Sequence, residues 1–114
     1  MVGSKILVMG LSFKENCPEI RNTKIIDMVQ ALKEYELDLD IYDPWVDPKE
    51  VEDEYGLAPV SALKNNEYDA IVLAVAHDQF KQMTAANIHA LGKTKHVLFD
   101  LKYILNKDET SIRL

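Results

Sequence analysis

Gly10–Asn22 reads GLSFKENCPEIRN. It follows Lys5–Met9 (KILVM), a continuous apolar run of the kind that is buried on both faces of a parallel sheet. It precedes Lys24–Tyr35, where Ile25, Met28, Val29 and Leu32 fall at i, i+3, i+4 and i+7, one face of a helix. Asn22 or Thr23 can cap that helix. A plain strand-to-helix connection needs about 2–6 residues. This one has about a dozen, among them Lys14, Glu15, Glu19 and Arg21. A long, charged loop at the carboxyl end of a strand is where α/β domains bind ligands.

The same alternation continues outward from this loop. Leu37–Tyr42 (LDLDIY) reads as a second strand, ended by Pro44. Lys49–Tyr55 reads as a short charged helix with Gly56 as its carboxyl cap. Leu57 and Ala58 read as a minimal strand, and Val60–Asn66 as a short helix carrying Leu63 inward. Asp69–Ala76 (DAIVLAVA) is the second fully apolar run and the candidate central strand. Gln79–Leu91 reads as a helix that Thr84 can interrupt, with Phe80, Met83, Ile88 and Leu91 inward. His96–Leu101 (HVLFDL) reads as the last strand, and the tail from Tyr103 as a turn with a loose terminus. The expected fold is a single α/β domain: a three-layer, Rossmann-like, doubly wound parallel sheet.

Composition narrows the function. The 114 residues suit one domain with its own core. A net charge of -6 argues against a nucleic-acid or membrane-surface partner, since both need a basic face. Any anionic ligand must therefore be held by a local group of cations. No apolar run approaches the roughly 20 residues of a membrane span. Met1–Ser4 is too short for a signal peptide and reads as a cloning scar. Cys17, the one cysteine, excludes an internal disulfide and a cysteine-based zinc site, and a cytoplasmic location is the default.

Lys14 and Arg21 share a loop before a helix amino terminus, which itself attracts anions. Together they suit a phosphate or diphosphate; separately they are ordinary solvated charges. The glycine fingerprint of dinucleotide-binding turns is absent, because Gly10 is followed by Leu, Ser, Phe and Lys. Capture by side chains is inferred instead. Asp43 stands where an acid would hold a ribose hydroxyl, but Asp43-Pro44 is equally a turn starter. Cys17 lies too near Arg21 for the spacing of cysteine phosphatases and has no adjacent base. His77 is the best-placed histidine for a polar role, or a loop histidine bonded to backbone. His89 and His96 carry no partner spacing, and no metal-ligand cluster is visible. Trp45 can stack on a ligand, pack over a sheet edge or make an interface.

The loop resembles a family signature. GLSFKENCPEIRN is similar to G-x-x-F-K-x-x-x-x-D-x-R-x-S/T, which opens the C-terminal domain of the UDP-glucose/GDP-mannose dehydrogenases. The ENCP wording resembles the branch that oxidises UDP-N-acetyl-hexosamines, including the Vi-antigen and O-antigen dehydrogenases. The resemblance runs on through Tyr42-Asp43-Pro44, Ala74–His77 to Phe80, and Phe99–Lys102, each at a strand end. It implies an NAD-dependent oxidation of a nucleotide sugar's C6 alcohol to a carboxylate, for polysaccharide precursors such as those of capsule and lipopolysaccharide.

The resemblance also implies that residues 1–114 are the UDP-binding C-terminal domain of a larger homo-oligomeric dehydrogenase. NAD would sit mainly in an N-terminal domain, with a central helical region between. Phe13 and Lys14 would contact the UDP-sugar, with the basic residue after the last strand at Lys102 and Tyr103. Arg21 would reach the NAD diphosphate. Glu19 departs from the family's Asp, and its longer side chain puts the orientation of Arg21 in question. The family's catalytic cysteine precedes this domain and Cys17 does not match it, so no catalytic residue is assigned here.

Two other classes compete. A receiver-like regulatory module would need acids after the first strand, where Met9-Gly10-Leu11 stands. A bare assembly domain would have no use for the loop cations.

Overall fold

The computed structural model describes residues 4–21, 23–35, 37–102, 104, 105, 110, 112 and 113. Among the described residues nine elements follow one another: β1 (Lys5–Met9), α1 (Ile25–Glu34), β2 (Asp38–Tyr42), α2 (Pro48–Tyr55), β3 (Tyr68–Leu73), α3 (Asp78–Gln82), α4 (Ala85–His89), β4 (Gly92–Asp100) and β5 (Ile112–Arg113). The strands form one sheet in the order β2-β1-β3-β4-β5, and every pairing is parallel.

Alternate side chains of the central strands serve two cores, as the period of two requires. Ile6, Val8, Ala70 and Val72 join Ile26 and Val29 of α1 and Val51 of α2. Leu7, Met9, Ile71 and Leu73 join Phe80 of α3 and Ile88 of α4. The sheet therefore lies between two helical layers, as the continuous apolar runs predict. On the α1 side β4 is only partly covered. An apolar groove of about 410 Å³ runs there past Met28, Val97 and Phe99.

Local chemistry sets the boundaries. Asp47 caps α2 by accepting Lys49 N–H at 3.0 Å, Pro48 opens the helix, and Gly56 closes it in the left-handed region at φ 69°. Thr84 separates α3 from α4 and caps the second through Asn87 N–H. Lys24 precedes α1 without a capping side chain, while Thr23 Oγ1 accepts Ile25 N–H at 3.2 Å.

Four expectations are corrected. Residues 60–66 form no helix. Val60 N–H donates to Ile41 O along the edge of β2, Asn66 takes φ 57°, and Leu63 reaches the second core from a turn. Leu57 and Ala58 form no strand. The last long strand begins at Gly92 rather than His96, because the ladder jumps between Tyr68 and Ala70 and takes up the extra residues there. After it, Ile112 and Arg113 add a short parallel strand against Phe99 and Asp100 where a loose tail is expected.

From β1 the chain crosses to β2 on one side, and from β3 to β4 on the other. This divergence opens a crevice at the carboxyl ends of β1 and β3, the place where doubly wound sheets bind ligands.

Candidate functional site

The loop leaves β1 at Gly10, which has φ 106°. A Cβ built there would lie 2.6 Å from Val75 Cβ and 2.8 Å from Val75 N. Only glycine fits, so the close approach of the two strand ends depends on this residue.

Beyond Gly10 a buried polar cluster fixes the loop. Asp43 Oδ2 accepts the N–H of Leu11 at 2.7 Å and of Ser12 at 3.0 Å, and Oδ1 accepts that of Trp45 at 2.8 Å. His77, wholly buried, puts Nε2 3.0 Å from Asp43 Oδ2 and 3.2 Å from Ser12 Oγ. Its Nδ1 accepts Asn16 N–H at 2.9 Å. An accepting Nδ1 carries no proton, so the ring proton sits on Nε2 and points at Asp43. Ser12 Oγ donates to Lys14 O at 2.9 Å, and Asn16 Oδ1 accepts Asp78 N–H at 2.9 Å. Burial pushes the Asp43 carboxyl up. His77 and the N–H groups of Leu11, Ser12 and Trp45 outweigh it, holding the carboxyl below its usual range. Asp43 is thus a turn and loop anchor whose oxygens face inward.

The cluster presents Phe13 and Lys14 to a pocket of about 220 Å³. Ser12, Phe13 and Lys14 line one side, and Thr23, Lys24 and Ile25 at the amino end of α1 another. Val75 and Lys102 complete it. Lys14, Lys24 and Lys102 therefore converge on one pocket at the positive end of the α1 dipole, with Glu15 the one acid in the lining. Phe13 stands 54% exposed, which is unusual for a large apolar side chain at a strand end. Lys102 is placed by Asp100, which is fully buried. Its Oδ1 accepts Lys102 N–H at 3.2 Å and Ile104 N–H at 3.1 Å, and its Oδ2 accepts Leu105 N–H at 2.8 Å.

Arg21 lies elsewhere. It borders a separate opening with Phe13, Glu19, Glu54 and Tyr55, so Lys14 and Arg21 do not share one phosphate pocket. Glu19 holds Arg21 in two places: Nε to Oε1 at 3.0 Å and Nη2 to Oε2 at 2.8 Å. The longer acid is therefore compatible with orienting the arginine. Arg21 draws the Glu19 carboxyl down to about 2, and Glu19 raises Arg21 in return. Tyr55 Oη donates to Ile20 O at 2.5 Å, and Phe13 N–H to Glu19 O at 2.7 Å, closing the loop.

The remaining candidates resolve as follows. Trp45 lies across the His77 ring at 6.2 Å and donates Nε1–H to Gln79, so it covers the cluster. Cys17 is a half-buried free thiol. Tyr103 falls outside the described residues. Among the described residues no group of three or more His, Cys, Asp or Glu could hold a metal, and no helix is long and apolar enough to cross a membrane. Asn16 and Asp100 are site residues that the sequence did not single out. The signal for Asp100 was an acid closing the apolar run Val97–Phe99 at the carboxyl end of β4, much as Asp43 directly follows β2.

A parallel sheet of this order, with a lysine-lined pocket at its switch point, places the chain among the doubly wound α/β domains that bind ligands at the carboxyl ends of their strands. The chain belongs to the UDP-glucose/GDP-mannose dehydrogenase family, whose UDP binding domain matches residues 7–107. It is 55% identical over 112 residues to the UDP-N-acetyl-D-glucosamine 6-dehydrogenase of Salmonella typhi, and 52% identical to that of Pseudomonas aeruginosa. Each comparison covers 98% of this chain and 26% of the relative, so the chain spans about a quarter of the length of these curated relatives. The fold is shared with the NDP-N-acetyl-D-galactosaminuronic acid dehydrogenase of Methanosarcina mazei. There the TM-score is 0.81 at 22% identity, over 95% of this chain and 22% of that one.

Proposed function

We propose that the switch-point pocket binds the uridine diphosphate part of a UDP-sugar, and that the chain is the C-terminal domain of an NAD-dependent nucleotide-sugar 6-dehydrogenase. The observation that carries this is the convergence of Lys14, Lys24 and Lys102 on one pocket in a chain of net charge -6. Phosphate oxygens need such a local group of cations, and the dipole at the amino end of α1 adds to their attraction. Exposed Phe13 offers an apolar face to the base or sugar. Tyr103 is proposed as a further contact beside Lys102.

At about 220 Å³ the pocket is smaller than the roughly 300–1,000 Å³ usual for small-molecule sites. It is therefore read as part of a site that the rest of the dehydrogenase completes. The relatives of Salmonella typhi and Pseudomonas aeruginosa act on UDP-N-acetyl-D-glucosamine, and the parent of this chain is proposed to take a sugar of that kind.

NAD, bound mainly by the N-terminal domain of the intact homo-oligomer, supplies the hydride acceptor for oxidation of C6. The residues here fit a supporting contact. The Arg21 side chain is 76% exposed and oriented by Glu19, and it borders a second opening that Phe13 also lines. No residue of this chain is assigned to the chemical step.

In the intact dehydrogenase, Lys14→Ala and Lys102→Ala are expected to raise KM for the nucleotide sugar at least tenfold with KM for NAD little changed. Arg21→Ala is expected to do the reverse. A domain used only for assembly would keep both constants.

A further inference from the structure

We infer that His77 is a positioning residue that sets Phe13–Lys14 in the pocket through both ring nitrogens, without touching the ligand itself. This rests on the reading of that pocket as a nucleotide site. The exposed segment 13–15 is flanked by Ser12 and Asn16, and His77 binds both. On one side, Nε2–H lies between Asp43 Oδ2 and Ser12 Oγ, and Ser12 Oγ–H in turn holds the carbonyl of Lys14. On the other, Nδ1 accepts the N–H of Asn16, whose left-handed backbone at φ 54° turns the chain back. The Asn16 side chain then takes the first N–H of α3 at Asp78. Loop, strand end and helix are joined at one ring.

Histidine suits this task because a rigid neutral imidazole offers one donor and one acceptor at fixed separation. Phe80, at 5.4 Å, and Trp45, at 6.2 Å, hold the ring plane. Ser12, His77 and Asp43 also have the composition of a hydrolytic triad, but not its wiring. There the acid and the serine bind opposite nitrogens; here both face Nε2 while Nδ1 serves the backbone. Ser12 and His77 are both buried as well. The cluster shapes a loop and activates no nucleophile.

The two halves of the ring can be tested separately. His77→Asn places an amide near the Nδ1 position and keeps the acceptor for Asn16. His77→Gln reaches the Nε2 position and keeps the donor to Asp43. In nitrogen-15 spectra of the 114-residue chain, His77→Gln is expected to move the Asn16 and Asp78 amides. His77→Asn is expected to move those of Leu11 and Ser12. Both should move the Lys14 amide, leave Ile71 and Leu98 in place, and weaken UDP binding about fivefold, the cost of one hydrogen bond.

A Lys14 amide unmoved in both variants would overturn the inference, as would wild-type UDP affinity in both. Two further measurements avoid a His77 variant that fails to fold. The wild-type ring should show an unprotonated Nδ1 and a protonated Nε2, and the opposite tautomer contradicts the assignment. Ser12→Ala, which cuts the link from ring to Lys14 O, should move the Lys14 amide, and no movement counts against it. If wild-type chain binds no UDP, the pocket reading fails, while the tautomer and the Lys14 amide still decide the role of His77.

Discussion

His77 Nε2 lies 3.0 Å from Asp43 Oδ2, and both side chains are fully buried. Asp43 also accepts three backbone N–H groups, so its loss would leave those three donors without their partner and His77 with Ser12 Oγ alone on Nε2. Asp43→Ala is expected to lower stability by about 3 kcal/mol, the cost of breaking a buried charged partnership. Urea unfolding measures it; a change below about 1 kcal/mol would show that the cluster contributes little.

The same carboxyl links stability to acid. Its folded value lies below the ordinary one of about 3.9. A depressed carboxyl contributes stability that is fully present above the unfolded value and is lost as pH falls through the folded value. This contribution is therefore constant from pH 7 to about 5 and declines below about 4. Asp43→Asn should remove this part of the acid sensitivity; an unchanged pH profile would contradict it.

Gly10→Ala should destabilise the chain by about 3 kcal/mol, combining a left-handed backbone with overpacking. Val75→Ala should not rescue it. The new Cβ would still meet Val75 Cβ at 2.6 Å and the backbone N at 2.8 Å. Recovery of stability in the double variant would show that the side-chain methyls were the obstacle.

Glu19 should titrate near pH 2 when its carboxyl is followed by NMR. Arg21→Ala should raise it but leave it below the ordinary range, because the backbone N–H of residue 21 still donates to Oε1, with the sheet unchanged. A Glu19 that titrates normally in the wild-type chain would mean that the paired geometry does not hold Arg21 in solution.

Alone, the chain is expected to give no NAD reduction with any UDP-sugar, since none of its residues is assigned to the chemical step. Steady turnover by the pure chain, followed at the NADH absorbance, would refute this.

Much of the fold was legible because its strongest signals are local. KILVM is β1 and the first five residues of DAIVLAVA lie in β3, the central strands, where burial on both faces demands uninterrupted apolar side chains. Asp47, Pro48 and Gly56 bracket α2 with chemistry that acts within a few residues. Residues 60–66 misled because Leu63 needs only a turn to reach the core, and the bond from Val60 to Ile41 is not local. The separation of Lys14 from Arg21 depends on the fold of their own loop, closed by Phe13 N–H on Glu19 O. His77 could be marked as polar and well placed, but its partners come from positions 12, 16 and 43, which only the sheet brings together. The resemblance in GLSFKENCPEIRN named Phe13, Lys14 and Arg21; it could not show that Asp43 and Asp100 anchor the turns beside them.

The most direct test of the central claim is titration of the nitrogen-15-labelled chain with UDP. The predicted result is weak, saturable binding with shifts centred on Ser12–Glu15, Thr23–Ile25 and Lys102, lost in Lys14→Ala. Shifts centred on His89 and His96 at the opposite end of the sheet, or none at all at millimolar UDP, would contradict it.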